Sequence, residues 1–487
     1  MLRPLVLPFF ALELACSSAK GTVPSQTASI ASVSAPRQKM AAPGNVAPPN
    51  GQLPRQQRDA AAPVPTSPST NPPAEELARW LASTAVPLRS LTPGVPFDDL
   101  KPLSAMVGQA TIVGLGEATH NSAELVTLRH RLFEYLVAVL GFDVFVMEVN
   151  WPEADRINDY VTRGVGDPEQ LLAGLRFWTT DTLEVLELIR WMRRYNRDPK
   201  HARKLRFRGV DLQYTGLSGR AVQSYVERVE PAFAAELASG LRELSADDAI
   251  STYASLPLER QQRIREYLGE AEAHFEAKRR EYEARSSRDD FLLARQHLRL
   301  LAQAQANYTD PSTRDTSMAA NFAWVVERER AGSKLVLWAH DGHVSFERGT
   351  APALGALLRE KWGKQYFALG TFFLRGSFRA WDWTQGQTTA RGVREFSVGT
   401  APADTFESAL APGKPPFLLD LRSAPASIAA WLGQQQQTRT IGSAFRSEQA
   451  MLESLTPSKS YDAVVLLDEV KAAHPTKTGL RNPKPSP

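Results

Sequence analysis

Three apolar runs in this chain end in residues able to move protons. Gly114-Leu115-Gly116-Glu117-Ala118-Thr119-His120 closes the first, Val146-Met147-Glu148-Val149-Asn150-Trp151 the second, and Leu337-Trp338-Ala339-His340-Asp341-Gly342-His343 the third. Three of the chain's eight histidines and two glutamates therefore fall where strands are predicted to stop. In open α/β sheets ligands bind beyond the carboxyl ends of the strands, so Glu117, His120, Glu148, His340 and His343 form a candidate catalytic set. A neutral histidine oriented by a carboxylate can deprotonate a water, and an imidazole or cationic donor beside it can hold the oxyanion that results. The chain has no G-x-S-x-G nucleophile elbow, and its single cysteine, Cys16, lies far upstream of these runs. Water, rather than a covalent side-chain nucleophile, is what these residues advertise.

The positions of the candidates carry further expectations. Asn121 followed by Glu124 resembles a capping box, which would start a helix immediately after His120. The positive end of that helix would keep the His120 ring neutral, and its free N–H groups could hold an oxyanion. The helix, from Ser122 to Leu140, places Leu125, Leu132, Leu136 and Val139 on one face, with Arg129 on the same face. An arginine in a buried stripe needs an anion, and Glu117 and Glu148 are its natural partners. A structural ion pair with Arg129 would explain Glu148 almost as well as catalysis does. His340 and His343 lie three apart just past a strand, a spacing that either brings both rings into one site or marks a turn.

These residues need a scaffold, and short apolar runs alternating with amphipathic helical patterns supply one: an α/β fold with a mostly parallel central sheet flanked by helices. Strands are predicted at Ala110 to Leu115, Val144 to Val149, Leu205 to Val210, Lys334 to Ala339, Tyr366 to Phe373, Phe417 to Leu421 and Ala463 to Leu467. Between the third and fourth lies a long helical insertion, about Glu227 to Asn307, with Ile264, Leu268, Ala271 and Phe275 at helical spacing. An excursion of this kind either caps an active site or pads the domain. The catalytic domain is expected over residues 75–475, with a tail at 476–487.

The 487 residues include 57 basic and 53 acidic ones mixed along the chain, for a formal charge of +4 and a pI near 9.0. There is no basic stripe, so a nucleic-acid partner is not expected. One cysteine excludes an intrachain disulfide and a four-cysteine zinc site. Residues 1–16 resemble a bacterial lipoprotein signal: Arg3, an apolar run from Leu5 to Leu12, then Leu14-Ala15-Cys16-Ser17-Ser18. Glu13 departs from that pattern, and a cytoplasmic protein with a ragged start is the alternative. Residues 17–74 are rich in Ala, Pro, Ser, Thr and Gln and nearly devoid of aromatics, the composition of a disordered linker. Together they predict an extracytoplasmic enzyme anchored to a membrane through a lipidated Cys16, the linker acting as tether.

From roughly Ser90 to Val470 the chain resembles the erythromycin esterase family. Gly116-Glu117-Ala118-Thr119-His120 with Arg129 and Glu148 is similar to the family's N-terminal signature. Phe177-Trp178 with Glu184-Val185, Trp191 to Asn196, Gly209 to Gln213, Arg314-Asp315 with Met318, Trp338 to Val344 and Tyr461-Asp462-Ala463 continue it. The resemblance implies hydrolysis of a cyclic ester, for the best-known members a macrolide lactone, without metal or cofactor. It makes His120 the general base, with Glu117, Arg129, Glu148, His340 and His343 shaping the site. Asn121 stands where the family usually has Gly, Thr180 replaces an aromatic, and Asp341 replaces an Asn. Asp341 is expected to raise the pKa of His340 or to attract a cation. Two other readings stand beside this one. A metal-dependent hydrolase could draw ligands for zinc or manganese from His120, His340, His343, Glu117 and Glu148, and a non-catalytic surface lipoprotein could keep the pocket for binding a small molecule.

Overall fold

The computed structural model describes residues 74–347, 351–386 and 392–481, all within one compact unit. The signal and most of the linker expected from the sequence lie outside these residues. The strands are β1 (Val86–Pro87), β2 (Ile112–Leu115), β3 (Val144–Asn150), β4 (Arg206–Asp211), β5 (Leu335–Trp338), β6 (Tyr366–Asp382), β7 (Val393–Val398), β8 (Phe417–Asp420), β9 (Gln436–Arg439), β10 (Ala444–Phe445), β11 (Leu452–Leu455) and β12 (Ala463–Val470). Among the described residues ten of them form one sheet, in the order β1-β8-β12-β6-β2-β5-β3-β4, with β7 and β10 also paired to β6, while β9 and β11 form a separate ribbon. From β12 across to β4 every neighbouring pair is parallel. The antiparallel pairs of the main sheet are β1 with β8, β8 with β12, and β6 with β7.

All seven predicted strands are present. Central strands read as unbroken apolar runs because both faces are covered: every residue of β2 and β5 is buried. Side chains alternate between two cores. Ile112, Val144, Val146, Leu335 and Leu337 face one, and Val113, Leu115, Phe145, Val336 and Trp338 face the other. The first core is continued by the helical insertion, whose Ile264, Leu268, Ala271 and Phe275 join it directly. Helices Leu258–Ala277 and Arg288–Thr309 are the longest of the insertion. The second core contains Leu125, Leu132 and Leu136 of helix Ala123–Leu140. Val139 leaves the predicted stripe and is half exposed, because it lies one residue short of the helix end. The predicted tail begins with a short helix, Lys477–Arg481, and Lys477 N donates to Glu169 Oε1 at 3.1 Å.

Register decides where the functional ends emerge. Leu115 lies opposite Trp338, and Trp338 opposite Met147, so the chain leaves β2 and β5 level with Glu148 of β3. Between Met147 and Asn150 the pairing of β3 with β4 shifts register. Such an irregularity re-aims a side chain at the end of a strand, and Glu148 and Val149 are the residues within it. β6 runs nine residues beyond its predicted end at Phe373. There Gly376, at φ +133°, lets Val470 of β12 approach to where a Cβ would be 1.9 Å from its carbonyl oxygen.

Candidate active site

Gly116 leaves β2 with its N–H on the Leu369 carbonyl at 2.8 Å. Its missing side chain makes room for the β5 turn, since a Cβ would stand 1.8 Å from Asp341 Oδ1. The next residue, Glu117, is buried and engages two partners: Oε1 contacts His120 Nδ1, and Oε2 contacts Arg129 Nη2. Burial opposes ionisation, but Arg129 and then His120 overrule it and hold the carboxyl near pKa 2. Arg129 is fully buried; its guanidinium lies 3.7 Å over the Trp338 ring and Nε donates to Leu125 O at 3.1 Å. Burial lowers it to about 10 against the pull of Glu117, so it stays cationic. With Nδ1 committed to Glu117, His120 keeps Nε2 as its free nitrogen, and its side chain retains 16% of its surface to solvent.

The His340 ring stands 5.1 Å from that of His120, tilted by 47°. Its Nδ1 accepts the Gly342 N–H at 3.2 Å, which assigns the proton to Nε2, 3.3 Å from Ile441 O. Burial, aided by the neighbouring His120, lowers its pKa to about 4 and keeps it a neutral donor. The backbone N–H of His340 donates to Glu148 Oε2 at 2.9 Å. His343, one turn on, is set between carboxylates: Nδ1 is 2.8 Å from Asp315 Oδ1 and Nε2 3.2 Å from Glu148 Oε1. Burial would neutralise it, but Asp315 and then Glu148 push it up to about 10.

The six residues singled out from sequence therefore meet in one network, with Arg129 on one of its two expected partners and Glu148 on a different arginine. Arg129 pairs with Glu117; Glu148 pairs with Arg314 Nη2 at 2.8 Å and with His343. The helix after His120 does not begin with a capping box. It starts at Ala123, Asn121 takes φ +61°, and Glu124 Oε2 accepts the Lys471 N–H at 2.6 Å instead. The Ala123 N–H is taken by Lys471 O at 2.8 Å, so that helix end is not an open anion site. Asp341 does not raise the pKa of His340. Its carboxyl points back into the sheet, where the Thr371 N–H lies 3.1 Å from Oδ1, and burial raises its own pKa well above the usual range.

Sequence reasoning missed Arg314, Asp315 and Asp211 as site residues. Arg314 forks onto Asp211, with Nε 3.2 Å from Oδ1 and Nη2 2.7 Å from Oδ2, while also holding Glu148. Asp211 ends β4 just as the other candidates end their strands, which is the signal that would have found it. Among the described residues no three His, Cys, Asp or Glu side chains are grouped to hold a metal ion, since the carboxylates face arginines or single histidine nitrogens. An open cleft of about 440 Å³ lined by Arg379, Lys471, Ala473 and His474 adjoins the Asn121 turn; His120, His340 and His343 do not line it.

A mostly parallel sheet whose strand ends converge on a carboxylate-bound histidine, a second neutral histidine and arginine-held carboxylates defines a hydrolase-type α/β protein. Residues 137–470, more than half of the chain, match the family described as erythromycin esterase, and the chain belongs to that family of hydrolases. Over 138 residues it is 31% identical to the Escherichia coli protein named erythromycin esterase type II, a stretch covering 28% of this chain and 32% of that one. The chain thus spans about a third of that relative's length. A protein of Bacillus cereus, solved by crystallography, is 26% identical with a TM-score of 0.73, covering 83% of this chain and all of that one. A mutant erythromycin esterase in its open conformation shares the fold, with a TM-score of 0.63 at 18% identity over 79% of this chain and 97% of that one.

Proposed function

We propose that this protein hydrolyses a carboxylic ester, of the macrolactone class, using water activated by His120. The observation that carries the reading is the Glu117–His120 contact with Arg129 behind it. A carboxylate held ionised by a buried guanidinium fixes the Nδ1 proton and leaves the Nε2 lone pair to receive a proton from water. As hydroxide adds to the acyl carbon, the carbonyl oxygen gains charge, and the neutral Nε2–H of His340 beside His120 is the donor that meets it by exchanging its 3.3 Å contact with Ile441 O for the oxyanion. Collapse breaks the acyl carbon to alkoxide bond, and His120 returns the proton to the leaving oxygen. Arg314 places Nε and Nη2 on carboxylates and Nη1 3.0 Å from His343 Nε2, and His343 is set against Asp315 and Glu148, so their part is to hold Glu148 beneath the His340 amide. The macrolactone class follows the family.

The test is a panel of lactones and open-chain esters run with wild type and His120→Ala. In ¹⁸O-water the label should enter the acid and not the alcohol, placing cleavage at the acyl–oxygen bond. Direct attack by water further requires no burst of alcohol and no mass-shifted enzyme after quenching. A burst, or an acyl group trapped on a side chain, would overturn it. Turnover should also survive a chelator; loss restored by zinc or manganese would favour the metal-dependent reading. Cys16 and the residues around it support a second proposal, that the protein is lipid-anchored outside the cytoplasm.

A further inference from the structure

Asn121 directly follows His120 and occupies the left-handed region at φ +61°, where a side chain is strained and glycine is not. It is 1% exposed, and its Oδ1 has no hydrogen-bond partner among the described residues. A strained backbone and an unsatisfied buried oxygen both cost stability, so stability alone would favour glycine here. The side chain offsets this with one specific act: Nδ2 donates to Trp178 O and to Thr179 O, each at 3.2 Å. The Asn121 carbonyl meanwhile accepts the Ala473 N–H at 3.0 Å, fixing the turn from its other side.

The segment so tethered is anchored upstream. Arg176 lies over the Tyr214 ring at 4.2 Å and donates to Asp247 O at 2.6 Å, and Phe177 meets Tyr214 edge-on. Trp178 is half-buried and has no ring or cation–π partner among the described residues. Trp178 is thus a residue with part of its surface free whose backbone carbonyl is tied to the residue after His120, which holds its segment at the water-activating turn. Such surfaces are what bulky apolar ligands select.

We propose that Asn121 is a positioning residue that docks residues 177–179 onto the His120 turn, so that Trp178 receives an apolar face of a large cyclic ester. This rests on the ester-hydrolase reading above. Its test compares the full chain with Asn121→Gly, Trp178→Ala and the double variant, on a macrolactone and on p-nitrophenyl acetate. Thermal melts check that each variant is folded. Asn121→Gly accepts the left-handed backbone and removes only the tether. In each single variant the macrolactone-to-acetate ratio of kcat/KM should fall about tenfold, within the range that apolar contacts discriminate, and mainly through KM. The double variant should lose little more than either single one, since both act through one contact. Amide exchange at residues 177–182 should quicken in Asn121→Gly. An unchanged ratio, or an equal loss of kcat on both esters, would overturn the proposal, the latter by placing the effect on His120 itself. If wild type cleaves neither ester, the functional reading fails; the exchange measurement still decides the docking, and unchanged exchange rejects it.

Discussion

Two buried cations decide the chemistry at the scale of single residues. Arg129 keeps Glu117 ionised in a site that would otherwise neutralise it, and Asp315 and then Glu148 raise the pKa of His343 although Arg314 Nη1 stands 3.0 Å from its Nε2. Arg129→Met would leave Glu117 buried without its counter-ion, a change that costs about 3–5 kcal/mol in buried pairs. The melting temperature and turnover should therefore fall together; a variant wild-type in both would remove Arg129 from the site. His343 gives a pH dependence of fixed sign. Its pKa rises on folding from about 6.5 to about 10, so its contribution to stability is complete below pH 6.5 and is lost as pH rises toward 10. Melting curves across that window should show wild type losing stability and His343→Gln, less stable throughout, losing less of it. Equal slopes would mean that His343 is not cationic in the folded protein.

At the scale of elements, what the sequence makes legible is what burial writes into composition. β2, β3 and β5 are unbroken apolar runs, so their positions, and the chemistry at their ends, could be read directly. β7, β9 and β11 could not, because strands such as Val-Arg-Glu-Phe-Ser-Val at an edge or in a two-stranded ribbon carry mixed burial and no clean period. Glu117 and Glu148 were both visible as strand-end acids, but nothing in the order of residues says which one Arg129 reaches. Arg314 belongs to a helix 166 positions from Glu148, and no local pattern announces a contact of that range. The β2 and β5 turns depend on each other through Gly116. Gly116→Ala would drive a Cβ into Asp341 Oδ1, a collision of the kind that typically costs about 1–3 kcal/mol. Its expected mark is lower activity together with a lower melting temperature, and an unperturbed variant would mean that the two turns are not packed as described.

At the scale of the whole molecule, parts of the chain far apart in sequence converge on one end of the sheet. Helix Ala123–Leu140 brings Arg129, helix Thr313–Arg328 brings Arg314 and Asp315, and β4 brings Asp211. Among the described residues no helix is long and apolar enough to cross a membrane, and the proposed anchor rests on Cys16. In a bacterium competent for lipoprotein processing, wild type should partition with membranes and Cys16→Ser should not, with esterase activity intact; a soluble wild type with Met1 retained would refute the anchor. The most direct trial of the central claim is the turnover of His120→Gly on an ester that wild type cleaves, with and without added imidazole. The expected loss is roughly 10²- to 10⁴-fold, the usual contribution of a general base, with an unchanged melt and partial recovery on adding imidazole. A folded variant turning over at the wild-type rate would contradict it.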